Sequence, residues 1–178
     1  GTYRLSIFRL PEQRLAITFE DIGETRRLRR DLEERERQCR KLFETMAQGV
    51  VYQDRDGRIV SANPAAQRIL GLSLDQMRGI TSLDPRWEAL REDGSALPGE
   101  EHPAMVSLAS GKPVFGFIMG VRAPNLPGRR WILVNSCPLF SEGEEKPSQV
   151  YTTFEDITDR YELLARRGGG DQPAVPQP

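Results

Sequence analysis

A five-residue segment, Thr-Phe-Glu-Asp-Ile, occurs twice in this chain, at residues 18–22 and again at residues 153–157, with the two copies 135 residues apart. Each copy ends a run of β-branched and aromatic residues typical of a strand, and each precedes a charged run typical of a helix. A repeated strand-to-helix joint indicates tandem modules. The chain is therefore expected to be a piece of a longer protein, in which the last strands of one module are followed in sequence by one whole module.

The first copy lies at the end of a predicted hairpin. Residues 3–10 alternate polar and apolar side chains, residues 11–13 supply a turn, and residues 14–19 return as a second strand. An isolated hairpin is only marginally stable in water, so we expect it to pair with the rest of its own module or with a second copy of the chain. A remnant without a fixed partner is the alternative.

A charged helix is predicted between the hairpin and the second module. Residues 24–41 are dense in Arg and Glu, with opposite charges three or four residues apart. Arg35 interrupts a series of residues at alternating steps of three and four that is typical of a coiled-coil seam. The residues that suit the seam are Leu28, Leu32, Cys39, Leu42 and Met46, and the first four are the predicted dimer contacts. We expect a parallel dimer helix that carries a signal between modules, and a solvated connecting helix is the alternative.

The order of strands and helices after residue 49 predicts the fold class. Residues 54–57 form a tight turn between two strands, and Asn63 followed by Pro64 is typical of a helix N-cap and first helical residue. Further short helices precede three strands at residues 113–121, 130–140 and 149–154. Consecutive antiparallel strands with helices gathered on one face define an α+β domain.

Several short motifs in this region together resemble PAS domains, the sensory S-box modules of bacterial signalling proteins. The motifs are Gly49-Val50-Val51-Tyr52-Gln53-Asp54, residues 56–66 (DGRIVSANPAA), Ile69-Leu70-Gly71, Trp131-Ile132-Leu133-Val134-Asn135, and the strand that ends in Phe154-Glu155-Asp156-Ile157-Thr158. The resemblance covers residues 42–158. It implies a five-stranded antiparallel sheet with short helices on one face.

The predicted organisation has five parts. Residues 1–22 are the C-terminal hairpin of a preceding PAS module, residues 23–48 are the linker helix, and residues 49–158 are the PAS domain. Residues 159–167 begin an output helix, and the Gly- and Pro-rich residues 168–178 are expected to be a disordered tail.

The composition indicates which partners and which cellular compartment to expect. The net charge is −1 with acids and bases interspersed, so nucleic acid and direct membrane contact are not expected. No run of about 18 apolar residues is present. Cys39 and Cys137 lack a Cys or His neighbour at metal-ligand spacing, which is typical of free thiols in a reducing compartment. We expect a cytoplasmic domain, whose parent can be membrane-anchored elsewhere.

The sequence offers little for catalysis or for a cofactor. Its one histidine, His102, stands before Pro103 at a predicted helix start, where a capping or exposed side chain is expected. Some PAS sensors hold haem through a histidine within this helix, and light-sensing relatives hold flavin beside a cysteine in an Asn-Cys-Arg-Phe context. Neither pattern is found, so neither haem nor flavin is expected and the cofactor is unknown. No catalytic or metal site is predicted.

The resemblance implies a cavity between sheet and helices that can hold a small molecule. Candidate lining residues are Met77, Trp87, Met105, Leu108, Phe115, Phe117, Met119, Trp131, Leu133, Asn135 and Tyr151. Arg86, Arg122 and Asn135 are the polar side chains expected to anchor a ligand. Because Trp131, Leu133 and Asn135 alternate along a strand, they share one face. A fully packed core is the alternative.

The predicted function is that of a homodimeric sensory module without enzyme activity of its own. Asp156, Ile157 and Thr158 follow the last strand, so Asp156 or Thr158 can cap the exit helix, and Asp21 repeats the arrangement upstream. A shift of the strand would then rotate or tilt that helix. The resemblance implies a histidine kinase or a diguanylate cyclase as the output domain of the parent. A ligand-free dimerisation spacer is the alternative.

Overall fold

The structure of the protein is a computed structural model that describes residues 1–11, 14–78, 81, 88–122 and 128–168. The chain divides into two compact units, residues 1–43 and residues 44–178. Among the described residues, no helix combines the length and the apolar character that crossing a bilayer requires.

The first unit contains a hairpin and a long helix. Strands β1 (Tyr3–Arg9) and β2 (Leu15–Asp21) pair antiparallel, with Leu5 opposite Phe19 and Ile7 opposite Ile17. These four apolar side chains are exposed. Helix α1 (Gly23–Thr45) has no buried residue and carries ion pairs along its surface. The helix ends at Thr45, before the predicted end of the linker at residue 48, and Gly49 is the first residue of the next strand.

The second unit is built on one antiparallel sheet. Its strands are β3 (Gly49–Asp54), β4 (Ile59–Ala62), β5 (Ala89–Leu90), β6 (Val114–Arg122), β7 (Arg129–Leu139) and β8 (Gln149–Asp156). The order across the sheet is β4-β3-β8-β7-β6-β5, so β8, the last strand in the sequence, lies between β3 and β7. Five longer strands and the two-residue edge strand β5 confirm the predicted α+β architecture.

Helices α2 (Pro64–Leu70), α3 (Leu74–Met77), α4 (Pro103–Ser110) and α5 (Thr158–Gly168) also belong to this unit, together with a 3-10 turn at Gly99–Glu101. Helix α2 packs on β3, and α4 packs on β6, β7 and β8. Ser107 holds α4 to the sheet because its hydroxyl donates to the Ser136 carbonyl at 3.1 Å. The core therefore lies between these helices and one face of the sheet.

Asn63 fixes the first helix to the sheet, as its predicted capping role requires. The side-chain oxygen accepts from the amide of Ala66 at 2.8 Å, which caps α2, and from the amide of Val50 at 2.9 Å. Its side-chain nitrogen donates to the Gln48 carbonyl at 2.9 Å. The residue is fully buried and both ends of its side-chain amide are hydrogen-bonded, so β3 and α2 are held together at the start of the domain.

Candidate functional site: a cavity in the core and the exit of the last strand

A cavity of about 100 Å³ opens between α4 and the core face of the sheet. Its walls are apolar apart from three polar side chains. The lining residues are Val51, Gln53, Ile59, Leu70, Ala89, His102, Pro103, Ala104, Met119, Val121, Ile132, Val134, Thr152 and Phe154. A mostly apolar cavity with a few convergent polar groups is the usual form of a small-molecule site.

Two of the three polar side chains are bonded within the protein. Gln53 donates from its amide nitrogen to the Gly57 carbonyl at 2.8 Å, which closes the turn between β3 and β4. The Thr152 hydroxyl pairs with the Ser136 hydroxyl at 2.9 Å across β7 and β8. Both side chains therefore stabilise the sheet that forms the wall.

His102 is the third polar group and differs from the other two. It occupies the N-cap position of α4 but makes no capping hydrogen bond, and only 8% of its surface is exposed. Burial lowers the pKa of His102 below its ordinary value, while a backbone interaction with Leu97 and the nearby Glu100 carboxylate act in the opposite direction. The imidazole Nε2 is buried without a hydrogen-bond partner.

The expectation of an exposed His102 is therefore wrong, although its position at the helix start is correct. The residue before a proline adopts an extended backbone, and His102 does so with ψ 139°. In this conformation the ring lines the cavity beside Pro103 and Ala104. Sequence reasoning also missed Gln53 and Thr152, whose places on the core face depend on which face of each strand the helices cover.

The strand face predicted for the cavity is also wrong. Trp131, Leu133 and Asn135 lie on the face of β7 opposite the cavity, because the buried residues of that strand are Ile132, Val134 and Ser136. Tyr151 lies on the same outer face of the sheet, beside Tyr52. Both faces of β7 carry apolar side chains, so alternation alone does not choose between them.

Among the other predicted lining residues that the structure describes, one lines the cavity. Met119 lines the cavity, whereas Met77 is fully buried elsewhere in the core, and Phe117 packs against that core. Met105 and Leu108 lie near the turn at Gly57, and Phe115 is 66% exposed. Trp87 lies outside the described residues.

Two of the three predicted polar anchors, Asn135 and Arg122, do not line the cavity. Asn135 accepts from the Gly116 amide at 2.8 Å on the outer face, and exposed Arg122 pairs with Glu88 at 3.3 Å. Arg86 lies outside the described residues. Among the residues that the structure describes, no cluster of His, Cys, Asp and Glu has the arrangement of a metal site.

The exit of β8 forms a compact joint with β7. The Ile157 amide donates to the Trp131 carbonyl at 2.8 Å, and the Trp131 amide donates to the Thr158 hydroxyl at 3.0 Å. The Trp131 ring stacks on Tyr161, one turn into α5, with ring centres 4.2 Å apart. Helix α5 is thereby attached at its first turn to the backbone of β7.

Asp156 completes this joint with its carboxylate. One oxygen accepts from the Thr158 amide at 3.0 Å and from the Thr158 hydroxyl, which satisfies an amide that the start of a helix leaves free. The other oxygen pairs with Arg130. Partial burial acts to raise the pKa of Asp156, but the hydrogen bonds from Thr158 and the Arg130 pair outweigh it and hold the pKa below its usual value.

At the upstream copy of the repeated segment, three backbone amides are bonded in the same way. Asp21 accepts from the Gly23 amide at 2.9 Å, the Ile22 amide donates to the Thr2 carbonyl at 2.9 Å, and the Arg26 amide donates to the Ile22 carbonyl at 3.0 Å. The corresponding downstream bond, from the Tyr161 amide to Ile157, measures 2.8 Å. The repeated sequence therefore encodes a repeated joint.

The strand registers before the two joints coincide as well. Leu5 pairs with Phe19 and Tyr3 with Asp21 in the hairpin, as Val134 pairs with Phe154 and Ile132 with Asp156 in the sheet. The exposed apolar face of the hairpin thus corresponds to the face of β7 and β8 that lines the cavity. The hairpin has the local structure of the last two strands of such a sheet.

Comparison with known proteins agrees with this architecture. A family profile described as the PAS fold matches residues 43–162, and the chain belongs to that family. A PAS domain from Colwellia psychrerythraea superposes with a TM-score of 0.54 at 20% identity, covering 70% of this chain and 98% of that one. The PAS domain of an HTR-like protein from Haloarcula marismortui gives 0.53 at 18% identity, covering 74% and 99%.

A characterised relative matches over a shorter stretch. Sporulation kinase E of Bacillus subtilis (strain 168) is 36% identical over 75 residues, which is 42% of this chain. The match spans 10% of the length of that relative. The relative is a kinase by name, and the matched segment is a small part of it.

Proposed function

We propose that this chain is a sensory module of a signal-transduction protein, in which a change in the cavity is relayed through β7 and β8 to helix α5. One observation carries the proposal, namely that the cavity wall and the exit joint belong to adjacent pairs of residues on the same two strands. Val134 and Phe154 form a cavity-lining pair, and the next pair of the same face is Ile132 and Asp156.

The short distance between wall and joint gives the relay its physical basis. Phe154 and Asp156 are two residues apart, which is about 7 Å along a strand. A ligand that moves the Phe154 ring therefore acts on the segment that holds Asp156, Ile157 and Thr158. It can shift the helix only by as much as its affinity differs between the two arrangements.

Dimerisation is part of the proposal. Leu28, Leu32 and Leu42 on α1 are each more than half exposed, and Cys39 on the same helix is exposed. Pairing this seam with the same seam of a second copy would remove these side chains from water. We infer a homodimer in which the paired helices carry the signal between modules.

The hairpin fits the end of a preceding module of the same kind. Its joint at Asp21 and its strand register match those of the PAS domain, and its exposed apolar face corresponds to a face that is covered in that domain. We propose that residues 1–22 are the C-terminal hairpin of a preceding PAS module and that residues 23–48 link it to the domain at residues 49–158. Helix α5 then begins the output connection.

The domain is proposed to be cytoplasmic and its parent to be a histidine kinase. The similarity to sporulation kinase E supports a histidine kinase as the output domain, and a diguanylate cyclase remains the alternative. The PAS domain is proposed to regulate that enzyme and to have no catalytic role of its own.

A ligand-free dimerisation spacer is the second candidate function. The modest cavity of about 100 Å³ favours it, because a small void can remain in a core that binds nothing. Mass spectrometry of protein purified from its native host and then denatured separates the two candidates. A small molecule released in proportion to the protein supports sensing, whereas its repeated absence from fresh preparations supports the spacer.

A further inference from the structure

The strongest unexplained feature of the cavity is the free imidazole nitrogen of His102. His102 lines the cavity, and its Nε2 is buried without a hydrogen-bond partner, whereas the other two polar side chains of the lining have bonds of their own. A buried polar atom without a hydrogen bond is costly, and a native structure keeps few of them. A group that enters the cavity and bonds this nitrogen would recover that cost.

The surroundings of His102 favour an uncharged occupant. No other titratable side chain is among the described residues that line the cavity, and the nearby Glu100 carboxylate is not part of that lining. A buried carboxylate or ammonium without an opposite charge is strongly disfavoured. Because burial also lowers the pKa of His102, the ring is neutral at neutral pH and offers no charge to pair with.

The volume of the cavity limits the size of the occupant. About 100 Å³ is less than the roughly 150 Å³ that accommodates benzene in an engineered apolar cavity of another protein. An occupant of about five non-hydrogen atoms is therefore the right size. Its body must be apolar because Ile132, Val134 and Phe154 offer it no hydrogen bonds.

We propose that the cavity binds a small uncharged molecule that is apolar except for one hydroxyl group, and that this hydroxyl hydrogen-bonds Nε2 of His102. A hydroxyl can both donate and accept, so it satisfies Nε2 in either neutral tautomer of the ring. This inference rests on the proposed sensory function, for which it names the ligand class and the recognising residue.

A pair of matched probes tests the inference. 1-Butanol and 1-fluorobutane have the same number of non-hydrogen atoms, and only the alcohol can donate a hydrogen bond. We expect the purified chain to bind 1-butanol about tenfold more tightly in an NMR titration, as one buried hydrogen bond predicts. The His102 Nε2 resonance should shift with 1-butanol and stay unchanged with 1-fluorobutane.

Two variants provide the controls. His102→Phe keeps a ring without the nitrogen and should reduce the ratio of the two affinities to about one. Asn135→Leu alters the polar residue on the outer face of β7 and should leave the ratio unchanged. The Nε2 resonance of the unmodified chain gives an answer even where His102→Phe does not fold.

Equal affinities for the two probes, binding of neither, or an unmoved Nε2 resonance with 1-butanol would overturn the inference. The proposed sensory function is judged separately by the molecule released from protein made in the native host. A charged or much larger molecule found there would overturn the hydroxyl assignment and leave sensing intact.

Discussion

At the scale of single residues, polar side chains in the core differ in how fully they are bonded. Asn63 is buried with both ends of its amide hydrogen-bonded, whereas His102 is buried with a ring nitrogen free. The first arrangement stabilises the fold, and the second leaves an interaction open to a ligand. Both residues precede a proline at a helix start, so their shared local pattern does not determine which role each one has.

His102 should make the stability of the domain depend on pH. Its folded pKa lies below the ordinary value of 6.5, so the unfolded chain binds the proton first as the pH falls. The contribution of His102 to the free energy of unfolding should therefore be complete above pH 6.5. It should decrease as the pH falls from that value toward the folded pKa. Urea unfolding at about pH 7.5 and about pH 5 measures the decrease.

The same two measurements on His102→Phe provide the comparison. Without the imidazole, the contribution of His102 to the pH dependence of unfolding disappears. The variant should therefore lose less stability between the two pH values than the unmodified chain. An identical loss in both proteins would show that His102 is not buried in the neutral form.

Replacing Asn63 should be costly because three hydrogen bonds end on its side chain. Asn63→Ala leaves the Val50 amide and the Gln48 carbonyl without that partner and uncaps α2, which predicts a loss of about 2–3 kcal/mol. Ser73→Ala removes an exposed cap from α3 and should cost about 1 kcal/mol or less. Denaturant unfolding compares the two, and equal small losses would contradict the structural role of Asn63.

At the scale of secondary-structure elements, the order of strands and helices could be predicted from the sequence because its signals are local. Asn63 before Pro64, and Gly71 in the left-handed conformation at φ 66°, mark the two ends of α2 by their own chemistry. The cavity face of β7 could not be predicted in this way. Trp131 and Leu133 are as apolar as Ile132 and Val134, and the packing of α4, distant in sequence, decides which pair is covered.

The joint between β8 and α5 should weaken when the Thr158 hydroxyl is removed. Thr158→Val removes the acceptor of the Trp131 amide and a donor to Asp156, so we expect a loss of about 1–2 kcal/mol and faster amide exchange in the first turn of α5. Thr153→Val makes the same change in β8 at a hydroxyl outside the joint. Hydrogen exchange in the first turn of α5 should be faster in Thr158→Val alone. Equal exchange in both variants would contradict the role of the Thr158 hydroxyl in the joint.

At the scale of the whole molecule, the duplicated segment relates the hairpin to the PAS domain. The repeat could be read from the sequence, and the structure adds that its hydrogen bonds and strand registers are duplicated too. Quaternary structure could not be predicted in the same way. The leucines of the α1 seam are exposed, and their exposure does not show which partner covers them. The proposed homodimer is therefore a matter for a solution experiment.

Cys39 makes the proposed dimer testable by cross-linking. In two parallel helices in register, Cys39 of one copy meets Cys39 of the other, so mild oxidation should give a covalent dimer. Cys39→Ser should abolish the cross-link, and Cys137→Ser should retain it. A chain that stays monomeric by light scattering at high concentration would contradict the proposed pairing.

The central claim is that the cavity wall and the exit helix are mechanically connected through β8, and Gly49→Ala tests it most directly. A methyl group at Gly49 would fall 2.4 Å from the Phe154 ring, which must then move. Hydrogen exchange at the Ile157 and Tyr161 amides is the measurement, with Val60→Ala, at an exposed residue of β4, as the control. The account predicts altered protection of these two amides in Gly49→Ala alone, and unchanged protection there in a variant that remains folded would contradict it.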